Sequence, residues 1–203
     1  MKASTQGPSK DDRAGRSPED KALNTAQYAL THHVDFSLGV CIEAGVAGGS
    51  SLREIVAAVP SGHPVFGFDW FKGLPEDWLP HFPKGSFDRD GVVPDVPGAQ
   101  IIVGLVEDTL PIWTREHPDN IAFLHIDIDL YAPCKAILAC LDDRIPPGAV
   151  IVFDEFREYE GCEQYEQRAL REWCSERGRL VTELPVQDDS ACARYRAAFR
   201  VLK

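Results

Sequence analysis

Four carboxylates stand where two apolar runs of the chain end. His125-Ile126-Asp127-Ile128-Asp129-Leu130-Tyr131 closes one run, and Phe153-Asp154-Glu155 closes another. In an extended segment residues two apart point to the same side, so Asp127 and Asp129 are expected to project together. If neighbouring strands carry the two runs, all four acids converge on one sheet edge. Carboxylates that close repel one another. A hard divalent cation with oxygen ligands is the simplest group to hold them there. Helix N-capping by Asp129 and Asp154 is the plainer alternative, although capping does not call for four acids. His125 has apolar neighbours and reads as a hydrogen-bonded core histidine before it reads as a base.

A second constellation is Glu43-Ala44-Gly45-Val46-Ala47-Gly48-Gly49-Ser50-Ser51, where an apolar run passes into a helix. Glycines let a ligand approach the backbone, and a helix N-terminus offers N–H groups to an anion. The spacing Glu-x-Gly-x-x-x-Gly departs from the Gly-x-Gly-x-x-Gly dinucleotide pattern. An acid before the first glycine repels a pyrophosphate but suits an ammonium group, and Ser51 could then hold a carboxylate. A ligand with both groups is an amino acid, or a nucleoside carrying one, such as S-adenosylmethionine. An ordinary tight β–α turn remains the alternative. Asp69 ends the next apolar run, about 20 residues after the glycine loop, where an acid accepts hydrogen bonds from ribose hydroxyls.

The elements that must position these residues follow from the hydrophobic pattern. Apolar runs at 36–42, 65–68, 100–103, 121–128 and 149–153 are β-branched and nearly continuous, as parallel strands covered on both faces are. Helix-length amphipathic segments at 50–59, 107–117, 134–141 and 162–177 alternate with them, the last with Cys162, Tyr165, Ala169 and Trp173 on one stripe. Segments 179–186 and 195–202 read as two final strands, so the sheet is expected to end antiparallel. Ser17-Pro18-Glu19-Asp20 carries the signals of a helix start, predicting a first helix over 17–32. The fold class is therefore α/β: a Rossmann-like, doubly wound, mostly parallel sheet with helices on both faces. Residues 1–16 read as a disordered tail and 17–203 as one domain. Ligands of such a fold bind beyond the carboxyl ends of the strands.

The 203 residues carry 21 Lys+Arg against 32 Asp+Glu, a formal net charge of −11. That balance disfavours nucleic acid and anionic lipid as partners, since both need a basic surface. No apolar run approaches the roughly 20 residues of a membrane span. No secretory signal is visible at the start, so a cytoplasmic location is expected. The six cysteines (Cys41, Cys134, Cys140, Cys162, Cys174 and Cys192) form no Cys-x-x-Cys pair and read as reduced, small apolar residues.

Together these residues resemble class I S-adenosylmethionine-dependent methyltransferases, especially the macrocin O-methyltransferase-like family. The matching stretches are 43–51, Phe66-Gly67-Phe68-Asp69-Trp70 continuing to Trp78, Glu107-Asp108-Thr109-Leu110-Pro111, His125 to Tyr131, and Val152 to Glu155. The resemblance implies S-adenosylmethionine as methyl donor, bound Mg²⁺ (or Mn²⁺), and methylation of a hydroxyl on a small molecule of sugar or natural-product type. It implies Asp127, Asp154 and Glu155 as metal ligands and Asp129 as general base. Glu43, Gly45, Gly49, Ser51, Asp69 and Asp127 are implied on the cofactor side. Two departures stand out: Glu155 where relatives often carry Asp, and a short, polar N-terminal segment that leaves little lid.

Residues 70–99 form a long, Pro- and Gly-rich connection. Trp70, Phe71, Lys72, Trp78, His81, Phe82 and Phe87 stand there, either around an acceptor or as a flap packed on the domain. A nicotinamide oxidoreductase is a rival that the glycine spacing and the acids disfavour. A non-catalytic partner subunit is another, and an acceptor nitrogen or carbon stays open, as does a homodimer.

Overall fold

In the computed structural model, which describes residues 23–188, 190 and 192–203, seven strands form one sheet. They are β1 (Val40–Ala44), β2 (Val65–Asp69), β3 (Gln100–Val103), β4 (Ile121–Ile126), β5 (Val150–Phe153), β6 (Val181–Glu183) and β7 (Ala197–Val201). Their order is β3-β2-β1-β4-β5-β7-β6. The first five pair in parallel, and β7 runs antiparallel between β5 and β6. The chain steps outward from β1 in one direction and from β4 in the other. The switch point therefore lies between β1 and β4.

Helices α1 (Thr25–His32) and α2 (Ser50–Ala58) cover one face; α3 (Val106–Glu116), α4 (Tyr131–Leu141) and α5 (Glu166–Arg177) cover the other. Strand β5 shows why the runs read as continuous. Ile151 and Phe153 enter the core beneath α3–α5, while Val150 and Val152 enter the core beneath α1 and α2. All four are fully buried, each worth about 1.5–3 kcal/mol of transfer free energy. No described helix is long and apolar enough to cross a membrane.

Several boundaries differ from expectation, each for a local reason. The first helix among the described residues starts at Thr25. Asn24 is extended (ψ 172°) and its side chain accepts from the Gln27 amide, whose side chain answers in a capping box. Ser17-Pro18-Glu19-Asp20 and the expected tail lie outside the described residues. Asn24→Ala should lower stability by about 1 kcal/mol in a thermal or denaturant melt, with the native circular dichroism retained. Residues 36–38 form a 3₁₀ turn capped by the Asp35 side chain, and β1 begins only at Val40. Strand β4 ends at Ile126, so Asp127 and Asp129 lie beyond it. Cys162–Gln164 is a 3₁₀ turn, and α5 begins at Glu166.

Candidate active site

Three loops at the carboxyl ends of β1, β2 and β4 are tied together by main-chain hydrogen bonds. Gly45 N–H donates to the Phe68 carbonyl (2.9 Å) and Asp127 N–H donates to the Ala44 carbonyl (2.8 Å). Gly45 has φ +92°, and a Cβ there would lie 1.8 Å from the Asp127 carbonyl oxygen. Only glycine permits that approach. Gly49, at φ +77°, leads into α2 with no side-chain cap of its own. Asp69 braces this arrangement: its Oδ2 accepts from Ala47 N–H and its Oδ1 from Phe71 N–H, both at 2.7 Å. Each oxygen keeps a second lone pair for a further donor.

Beneath the loops a row of charged side chains crosses the sheet. Glu43 (β1) is fully buried, and its Oε1 lies 2.9 Å from His125 Nδ1 on β4. His125 Nε2 lies 3.7 Å from Asp154 Oδ1, and Arg196 Nε donates to that same oxygen at 2.5 Å. Arg196 Nη1 reaches Asp188, 3.4 Å away, which also accepts from the Thr25 hydroxyl of α1. Burial disfavours a charge on His125, but Asp154 and Glu43 on either side outweigh it and lift its pKa to about 10. Burial likewise works against the charge on Asp154, yet His125 and Arg196 hold its carboxyl well below the usual carboxylate range. Burial raises Glu43, opposed by His125 and by the Ser51 hydroxyl. His125 is thus the hydrogen-bonded core histidine that its apolar neighbours suggest.

The acids do converge. Oxygen atoms of Asp127, Asp154 and Glu155 all lie within 4.8 Å of one another. The means differ from the expected strand alternation: Asp129 is brought in by a left-handed backbone (φ +64°), which Asp tolerates better than most residues. The capping alternative fails. Leu130 precedes α4 with no side-chain cap, and after Asp154 no helical turn begins before Cys162. Asp129, Asp154 and Glu155 are buried, while Asp127 is partly exposed.

Above the edge lies the connection 70–99. It packs its aromatics and also faces the site: Leu74 and Trp78 are buried with Leu130, against Phe82, Phe87, Tyr159 and Tyr165. Tyr165 donates its hydroxyl to the Trp78 carbonyl at 2.8 Å. Gly45, Asp69, Asp127 and Asp129 line one cavity together with Trp70 and Phe87 of this connection. Glu43, Gly49, Ser51, Asp154 and Glu155 are not in its lining. A larger hollow of about 630 Å³, between the end of α2 and the amino ends of β2 and β3, lies away from every one of these groups.

Two residues of the site escape sequence reasoning. Arg196 lies 42 residues from Asp154, and no local spacing announces their pairing. Glu166 is fully buried on α5 with Ala169, Leu170 and Trp173. Its signal was present: an acid in the first position of an apolar i, i+3, i+4, i+7 stripe, masked by taking Tyr165 as the stripe residue.

This strand order, with a glycine loop after β1 and an acid closing β2, defines the Rossmann-like class of S-adenosylmethionine-dependent methyltransferases. The chain belongs to the methyltransferase-domain family, whose model matches residues 42–156, and it is an enzyme of that class. Among solved structures it is similar to the calicheamicin methyltransferase CalS11, at 24% identity and TM-score 0.66 over 86% of this chain and 76% of that one. A second CalS11 structure, described as an apo TDP-rhamnose 3'-O-methyltransferase, gives 25% identity and TM-score 0.58 over the same shares. An O-methyltransferase from Bacillus cereus in complex with S-adenosylhomocysteine gives 19% and 0.59, over 92% and 84%. The search of curated proteins finds no match.

Proposed function

We propose that the chain is a Mg²⁺-dependent O-methyltransferase acting on a hydroxyl of a small molecule, of sugar or natural-product type. The observation that carries the reading is the approach of Asp127, Asp154 and Glu155 to within 4.8 Å, beside Asp129 in the same edge. Three carboxylates of this kind fit a hard divalent ion, which prefers oxygen ligands. The CalS11 description, a sugar O-methyltransferase, agrees with it. Such an ion would supply a lowered pKa for an acceptor hydroxyl.

On the cofactor side, Gly45 and Gly49 give access to the backbone. Glu43, buried against His125 and Ser51 and outside the cavity lining, would support the methionine end from below, Asp69 would receive the ribose hydroxyls, and Asp127 borders the cavity that both halves share. The chain's remaining work is alignment and proton removal. Bound S-adenosylmethionine would supply the methyl group and leave as S-adenosylhomocysteine, and the carboxylate of Asp129 would take the proton of the acceptor hydroxyl. Trp70 and Phe87, on the same cavity wall, flank the acceptor.

Calorimetry tests the cofactor half. S-adenosylmethionine should bind saturably, and Asp69→Ala should weaken it at least roughly tenfold. That substitution removes both a ribose acceptor and the brace on Ala47 and Phe71, each a charge-assisted hydrogen bond. A wild-type chain that binds no S-adenosylmethionine would overturn the reading.

A further inference from the structure

Glu166 opens α5 with no exposed surface, and neither carboxyl oxygen has a hydrogen-bond partner among the described residues. A carboxyl buried that way is costly, and an apolar side chain would suit its stripe better. Burial above all, and then Asp129, Asp127 and Asp154, push its carboxyl well above the usual range, with His125 opposing. An acid in the first turn of α5 suits the helix dipole, but that preference does not call for burying it without a hydrogen-bond partner. A buried polar group left unsatisfied points to a water or an ion as its partner.

We infer that Glu166 is a positioning residue of the cation site, accepting hydrogen bonds from water carried by a divalent ion that Asp127, Asp154 and Glu155 hold. The inference rests on the Mg²⁺ reading above. Glu166 is not among the oxygens gathered within 4.8 Å, and the acids that bear on it electrostatically, Asp129, Asp127 and Asp154, belong to the same edge. Mg²⁺ keeps several waters when carboxylates bind it. Groups that hold such ligands from outside typically change metal affinity about 10- to 100-fold.

Mn²⁺ titration of the full chain by calorimetry tests this without any acceptor. Glu166→Gln should weaken Mn²⁺ binding about tenfold. In metal-free protein its Tm should stay close to that of the wild type, because the amide has the size and shape of the acid it replaces. Glu166→Asp, which keeps the carboxyl and loses one methylene, should fall between the two. It also serves as the reading variant if the Gln protein is not recovered folded. Equal Mn²⁺ affinity in wild type and both variants overturns the role of Glu166 and leaves the cation site standing. A lowered Tm with unchanged affinity makes Glu166 structural, and also overturns it. A wild-type chain that takes up no Mn²⁺ overturns the cation reading itself, and this inference with it.

Discussion

Asp129→Asn should lower methyl-transfer turnover roughly 10²- to 10⁴-fold while leaving Mg²⁺ and S-adenosylmethionine affinities near those of the wild type. The amide keeps the shape of the side chain and its left-handed backbone but cannot accept the acceptor's proton. The remaining acids should behave otherwise. Asn or Gln at Asp127, Asp154 or Glu155 should weaken metal binding and activity together, with partial recovery in excess Mg²⁺. Steady-state kinetics with a responsive sugar or phenol, paired with calorimetry, separates the two patterns. If Asp129→Asn loses the metal and excess Mg²⁺ restores it, Asp129 is a ligand. The base must then be sought at Tyr131 or His125, although His125 is committed to Glu43 and Asp154.

Chelation should have the other large effect. EDTA should reduce turnover by roughly 100-fold or more, equivalent to about 3 kcal/mol, and Mg²⁺ or Mn²⁺ should restore it. An aliphatic hydroxyl is a weak nucleophile at neutral pH, so the lost pKa lowering is not made good by a carboxylate base alone. Full turnover in chelator would assign the acids to another purpose. S-adenosylmethionine binding measured in the same chelator tells loss of chemistry from loss of cofactor.

The parallel centre of the sheet was legible because both faces of β4 and β5 are covered, which leaves unbroken apolar runs that end in acids. The glycine loop and the place of Asp69 at the end of β2 were legible because close backbone approach and a bracing carboxylate restrict residue type over short spans. The start of α1 was not. Ser17-Pro18 carries stronger local signals than Asn24, whose capping box shows only when Gln27 is paired with it. Strand β4 was read two residues too long, because Ile128 continues the apolar rhythm after the backbone has turned. Arg196 belongs to a contact across β5 and β7, which depends on the order in which the last strands enter the sheet. Six-residue windows do not contain that order.

The positive charges of His125 and Arg196 stand inside the acid edge, one on each side of Asp154. They are covalently part of the chain and arrive with it. The repulsion that would otherwise make the edge depend on a captured ion is partly neutralised before any ion is met. On the metal reading proposed above, the polypeptide would fold before it met an ion and would exchange one divalent ion for another without unfolding. Supply of the metal would then set how fast the enzyme works, and not how much of it survives.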